Sequence, residues 1–231
     1  MAKRSDRFNW FYRPEEQVSH VFNKVSVVMD ILEKKGLFDG SIPILSIPFL
    51  DWLNSYNFND FTMVEFGSGK STIYFAERFK KVISFETDNF YYNVVKDQNL
   101  SNVEITLKTK DEIEAGNFEL LVDNKTIVFI DSDTNRFVTT KNILEKCSPN
   151  IIILDNAEWY PNTCKTLYRS NYLEIPFWGI RPDDSVEKSV SVFIKNSYML
   201  PEKDYDYFAV GTQIKGINWT DRPLTGIYDE I

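Results

Sequence analysis

Chemistry first becomes available in the stretch Met63-Val64-Glu65-Phe66-Gly67-Ser68-Gly69-Lys70-Ser71-Thr72, where an apolar run turns through two glycines into a polar helix start. Glycines let a ligand approach the backbone, and a helix N-terminus presents unpaired N–H groups. Twenty-one positions beyond Glu65 stands Glu86, in Phe85-Glu86-Thr87-Asp88, at the close of the next apolar run. In an open α/β sheet an acid at that place accepts from the hydroxyls of a ribose, so loop and acid together point to a nucleoside. Two later apolar runs also end in polar groups, one in Asp131-Ser132-Asp133 and one in Asp155-Asn156-Ala157-Glu158-Trp159-Tyr160. Strand ends of such a sheet open on one crevice. Asp131, Asp133 and Glu158 are therefore candidate bases, and Asp131, Asp155 and Asn156 are hard-oxygen donors of the kind Mg²⁺ takes while keeping several waters.

Three kinds of nucleoside site compete for the glycine loop. A phosphate-binding loop of the Walker type needs G-x-x-x-x-G-K-[ST]; Gly69-Lys70-Ser71 supplies the end, but Val64 stands where the first glycine belongs. A dinucleotide fingerprint needs a third glycine, and Thr72 occupies its place. The third kind puts an acid beside a loop that carries no phosphate, which suits a nucleoside with a cationic amino-acid end.

On these residues the chain resembles the class I S-adenosylmethionine-dependent methyltransferases, whose first motif is an acid followed by G-x-G-x-G. Here it reads Glu65-Phe66-Gly67-Ser68-Gly69-Lys70-Ser71, with Ser71 in place of the last glycine. The resemblance spans roughly residues 60 to 197. It implies that Glu65, Gly67, Ser68, Gly69 and Ser71 surround the methionine portion of the cofactor and that Glu86 binds the ribose, with Thr87 and Asp88 nearby. It further implies that Lys110 and Asp111 lie by the adenine, and that Asp131 helps hold the methionine ammonium. A narrower resemblance is to the catechol-type and caffeoyl-type O-methyltransferases, which carry metal-binding residues at the positions of Asp131, Asp155 and Asn156; it implies Mg²⁺ as a second cofactor. Those enzymes have a lysine three residues after the first aspartate, where this chain has Thr134. Trp159, Tyr160 and Trp178 follow the fifth and sixth strands, where an acceptor substrate would rest, and Arg181 suits an anionic group on it.

The elements that must position these residues follow from periodicity. From Pro14 to Gly36 apolar residues recur at steps of three and four, which predicts a helix, and Ser46 to Tyr56 repeats this with Ser46 as N-cap. Short β-branched or aromatic runs then alternate with helix-length segments, the pattern of βαβ units. Strands are expected at 62–66, 81–86, 103–108, 126–130, 150–154, 172–177 and 189–195, and helices at 71–79, 90–99, 136–147 and 162–170. Residues 112–124 read as an undefined connection and Gly179 to Asp184 as a loop, so the last strand should run antiparallel. The expected fold is α/β: a Rossmann-like seven-stranded, mostly parallel sheet with helices on both faces. The expected divisions are a helical extension at 1–60, a cofactor-binding domain at 61–200 and an irregular tail at 201–231.

Composition narrows the function. With 231 residues, 43% hydrophobic and 15% aromatic, the chain can bury a sizeable core. Its net charge of −8 gives no field to hold a phosphate backbone, so a small-molecule acceptor is expected and nucleic acid is not. Cys147 and Cys164 form no C-x-x-C pair and His20 is the single histidine, which argues against zinc clusters and Ser-His-Asp catalysis. No apolar run approaches the roughly 18 residues of a spanning helix, and the basic start leads into no signal-like segment, so a cytoplasmic protein without membrane contact is expected. The N-terminal helices are candidates for covering the cofactor or pairing two copies. Rival readings are a P-loop hydrolase or kinase using Gly69-Lys70-Ser71-Thr72, and a non-catalytic nucleoside-binding module of the same fold.

Overall fold

Seven apolar, β-rich runs pair into one sheet in the order β3-β2-β1-β4-β5-β7-β6. The computed structural model describes residues 42–120, 122–182, 184–198 and 200–201. The strands are β1 (Thr62–Phe66), β2 (Lys81–Glu86), β3 (Val103–Leu107), β4 (Thr126–Ile130), β5 (Ile151–Asp155), β6 (Tyr172–Arg181) and β7 (Asp184–Lys195). β1 to β5 are parallel, and β7 runs antiparallel between β5 and β6. Between them lie α1 (Ile47–Asn54), α2 (Lys70–Ala76), α3 (Asn89–Lys96), α4 (Lys110–Glu114), α5 (Arg136–Lys146) and α6 (Pro161–Arg169). The expected helix from Pro14 to Gly36, with His20, and the tail beyond Pro201 lie outside the described residues.

Central strands covered on both faces must be apolar throughout. β4 accordingly reads Thr-Ile-Val-Phe-Ile and β5 Ile-Ile-Ile-Leu-Asp, every residue buried. Their alternation sorts side chains into two cores. Met63, Ile127, Phe129, Ile153 and Val192 pack with Phe49 and Leu53 of α1 and Phe75 of α2. Val64, Phe66, Val128, Ile130 and Leu154 pack on the other face with Ile113, Ile143 and Leu167 of α4, α5 and α6.

Three local expectations are corrected. Ser46 does not cap α1 through its side chain; its hydroxyl donates to the carbonyl of Phe177, 2.9 Å away on β6. The presumed connection after β3 opens with α4, whose start is fixed by Thr109 and Glu112 bonding each other's backbone N–H groups. The loop expected at Gly179 to Asp184 is mostly ladder, with Gly179 opposite Lys188 and Arg181 opposite Asp184. Gly179 is required because a Cβ there would meet Pro48 Cδ at 2.4 Å. The hairpin can extend because α1 docks on it through this contact and the Ser46 bond. No helix among the described residues is long and apolar enough to cross a membrane.

Phe49 ties α1 to the hairpin, fully buried with ring centroids 5.9 Å from Trp52 and 6.2 Å from Phe177. Phe49→Ala should lower unfolding free energy by about 3–5 kcal/mol, measured by urea denaturation.

Candidate functional site

At the C-terminal ends of β1, β2 and β4 a cleft of about 440 Å³ opens between the glycine loop and the residues ahead of α1. Gly67, Ser68, Gly69, Ser71, Glu86, Asp88, Asp131 and Asp133 are on its wall, together with Lys70, which only the rival P-loop reading used. Pro43, Ile44, Leu45, Tyr91 and Ser132 complete it. Sequence reasoning passed over these five. Tyr91 had a usable signal, one turn into the helix after the Glu86 strand; Pro43 to Leu45 had none, since only folding carries that segment to the cleft.

The glycine loop has its shape for a steric reason. Gly67 has φ +94°, and a Cβ there would sit 2.6 Å from the Asp131 carbonyl oxygen, so the loop passes against β4 with no room for a side chain. Its N–H donates to Phe85 O at 2.8 Å, and Asp131 N–H donates to Phe66 O at 2.9 Å. A Cβ on Gly69 would meet nothing within 4 Å, so the backbone there borders open space that a ligand can fill.

Buried carboxyls organise the rest. Glu65 is fully buried on the face of β1 under α2 and is not on the cleft wall. Its carboxyl accepts from the hydroxyls of Ser71, Thr72 (2.6 Å) and Ser84 (3.2 Å), so it braces the loop from behind. Burial pushes its pKa up to about 8, against the pull of those three hydroxyls. Glu86, 5% exposed, accepts from Ser68 N–H and Oγ on one oxygen and from Thr87 and Asp88 N–H, each at 2.7 Å, on the other. Gly69 N–H donates to Thr72 Oγ1 at 3.0 Å. The three loop amides of Gly67, Ser68 and Gly69 thus already have acceptors, one of them a carboxylate. A polyphosphate, which a Walker loop binds on such amides, would have to displace them.

Thr87 points its hydroxyl to Asp133 Oδ1 at 2.6 Å, and Lys110 Nζ lies 2.5 Å from Asp133 Oδ2. Burial raises the Asp133 pKa, but Lys110 and Thr87 outweigh it and hold the group below the ordinary range, which disfavours it as a base. Asp111 is exposed on the first turn of α4 and is not on the cleft wall.

At the ends of β4 and β5 the expected ligand set Asp131, Asp155 and Asn156 comes together around Arg136, which sequence reasoning missed. Arg136 is 6% exposed and donates from Nε to Ser132 O at 2.9 Å, from Nη1 to Asp155 O at 2.5 Å and from Nη2 to Asp131 Oδ1 at 2.8 Å. Its place five residues after Asp131, at a helix start, was the available clue. Burial, with the Asp131 charge next, pushes Asp155 up to about 8, while Arg136 opposes; Asp131 is raised by burial too. Asp155 Oδ1 and Asn156 Nδ2 lack partners, and Asn156 adopts a left-handed conformation, φ 51°. A guanidinium already stands on Asp131, so a divalent ion there would share one carboxylate with a permanent positive charge. This geometry does not fit Mg²⁺.

Of the acceptor candidates, Trp159 and Trp178 are 59% and 54% exposed, with Lys188 Nζ 4.0 Å over the Trp159 ring. Tyr160 instead packs half-buried on the second core with Arg136 4.6 Å above its ring. Glu158 holds Ser189 Oγ at 2.6 Å, and its Oε1 is buried without a partner. Arg181, on β6, adds a positive charge felt by Asp131 and Asp155.

No protein-family model matches the sequence, and no curated protein does. Among solved structures, the chain is similar to a precorrin-6y C5,15-methyltransferase from Geobacter metallireducens, at 12% identity and TM-score 0.50 over 64% of this chain and 87% of that one. It is also similar to an O-methyltransferase from Bacillus cereus in complex with S-adenosylhomocysteine, at 16% identity and TM-score 0.50 over 75% and 91%. The chain has the Rossmann-like fold of class I S-adenosylmethionine-dependent methyltransferases.

Two outcomes follow from the loop. Gly67→Ala should cost about 1–3 kcal/mol of stability, read by urea denaturation, because it adds both strain and a clash with β4. An acid whose pKa rises from 4.5 to about 8 on folding favours the native state fully below pH 4.5 and loses that contribution as pH climbs to about 8. Glu65→Gln should therefore flatten the fall in stability between pH 5 and 8, leaving the part contributed by Asp155.

Proposed function

We propose that this chain is an S-adenosylmethionine-dependent methyltransferase that methylates a hydroxyl of a small-molecule or sugar-like acceptor. The observation that carries the reading is the charge of the cleft: four carboxylates, Glu86, Asp88, Asp131 and Asp133, face it, Asp131 paired with Arg136 and Asp133 with Lys110, while Lys70 is the one lysine on its wall among the described residues. Such a wall suits a ligand of hydroxyl and ammonium donors and repels a nucleoside polyphosphate. The loop amides, already taken by Glu86 and Thr72, support the same choice over a P-loop enzyme.

In this reading Glu86 accepts from the ribose hydroxyls in place of the Ser68 hydroxyl, held by the backbone N–H groups of Ser68, Thr87 and Asp88, and Asp131 balances the positive amino-acid end. Gly69 lets the ligand lie against the backbone, Gly67 lets the loop lie against the end of β4, and Pro43, Ile44 and Leu45 keep water from one side. The cofactor supplies a methyl group on a sulfonium. The acceptor rests by the exposed rings of Trp159 and Trp178, where Arg181 and Lys188 add positive charge toward an anionic group on it. Glu158, anchored by Ser189 on one oxygen and unpartnered on the other, receives the hydroxyl proton. Positioning and exclusion of water supply most of the remaining effect, because methyl transfer needs little else from a protein.

Calorimetric titration of the purified chain tests this. S-adenosylmethionine and S-adenosylhomocysteine should bind, and ATP with or without Mg²⁺ should not. Glu86→Ala should weaken both sulfur nucleosides roughly 10- to 100-fold, the loss of hydrogen bonds to a charged acceptor. ATP binding alone would return the P-loop reading; nucleoside binding without acceptor-dependent release of S-adenosylhomocysteine across a broad hydroxyl panel would favour a binding module.

A further inference from the structure

The ends of β4 and β5 present two acids and an amide, a set that invites a divalent ion, yet the position between the strand ends is filled from within the chain. Arg136, the first residue of α5, sends its guanidinium back to three oxygens: the Ser132 carbonyl just past β4, the Asp155 carbonyl at the end of β5, and the Asp131 carboxylate. The Tyr160 ring covers its face at 4.6 Å. A guanidinium does not lose its charge in a protein, and its planar fork fixes the directions of its N–H groups. A divalent ion on Asp131 would therefore stand close to a permanent, desolvated positive charge, with strong mutual repulsion.

We propose that Arg136 is the resident cation of this site: it joins the ends of β4 and β5 and orients the Asp131 carboxylate toward the cleft, so that the chain works without a divalent metal. Arg136 is a positioning residue, acting on the ligand through Asp131. The claim of metal-free turnover rests on the methyltransferase reading; the assignment of Arg136 as the cation does not. One consequence concerns the acceptor. With no ion to chelate, a pair of neighbouring hydroxyls has no advantage over a single one, so the substrate class extends to isolated hydroxyls recognised by the aromatic rim.

The test uses the full chain, Mn²⁺ as the metal probe and S-adenosylhomocysteine as the nucleoside. Mn²⁺ followed by electron paramagnetic resonance should stay free in the presence of the wild-type protein, and EDTA should leave nucleoside affinity unchanged. Arg136→Ala should weaken nucleoside binding roughly tenfold, and Arg136→Lys, which keeps a charge, should restore part of it. Stoichiometric Mn²⁺ binding by the wild type, abolished in Asp155→Asn, would overturn the proposal, as would a folded Arg136→Ala protein with wild-type affinity. The wild-type Mn²⁺ titration decides the question even if Arg136→Ala does not fold. Free Mn²⁺ together with no nucleoside binding by the wild type would sink the methyltransferase reading while supporting Arg136 as the cation.

Discussion

A carboxyl group removed from water must find its donors inside the protein, and four such groups shape the C-terminal edge of this sheet. Glu65 draws the hydroxyls of Ser71, Thr72 and Ser84 toward β1 and so fastens the start of α2. Glu86 takes the Ser68 amide and hydroxyl and the amides after β2, which joins β2 to the glycine loop. Asp131 takes a guanidinium nitrogen, and Asp155 gives that guanidinium its main-chain carbonyl. Glu86 thus joins β2 to the glycine loop, Arg136 joins the ends of β4 and β5, and the cleft is the space beside these bonds.

The same requirement explains why the cleft prefers donors to anions. The loop amides that would greet a phosphate are spent on internal acceptors, and four acids line the cleft. Gly67 adds the steric half of the argument: the loop can approach β4 only because it has no side chain there. Charge and shape thus support the proposed reading of a nucleoside without a phosphate chain.

The opposite end of the sheet has a different character. The β6–β7 hairpin runs longer than its apolar residues alone would warrant, and α1 fastens it through Ser46, Pro48 and Phe49. That anchoring carries Trp178 to the rim, opposite Ser189, which Glu158 holds from the end of β5. Helix and hairpin lie far apart in the chain, yet together they fix the wall on which an acceptor would lie.

Strands β1 to β5, their parallel order and the glycine loop were legible in the amino-acid order, because short β-branched or aromatic runs, glycines after a strand and an acid at the next strand end are local signals. The position of Glu86 was legible for the same reason. Tertiary structure alone decided that Glu65 lies behind the loop, since the pattern of one strand does not say which face α2 will cover. It likewise decided that Pro43 to Leu45 reach the cleft and that Gly179 to Arg181 continue a ladder, because both depend on where α1 docks. It also decided that a guanidinium joins the Asp131 carboxylate to the main-chain carbonyl of Asp155. A sequence displays which groups can bind a cation; only packing shows that the chain has already supplied one.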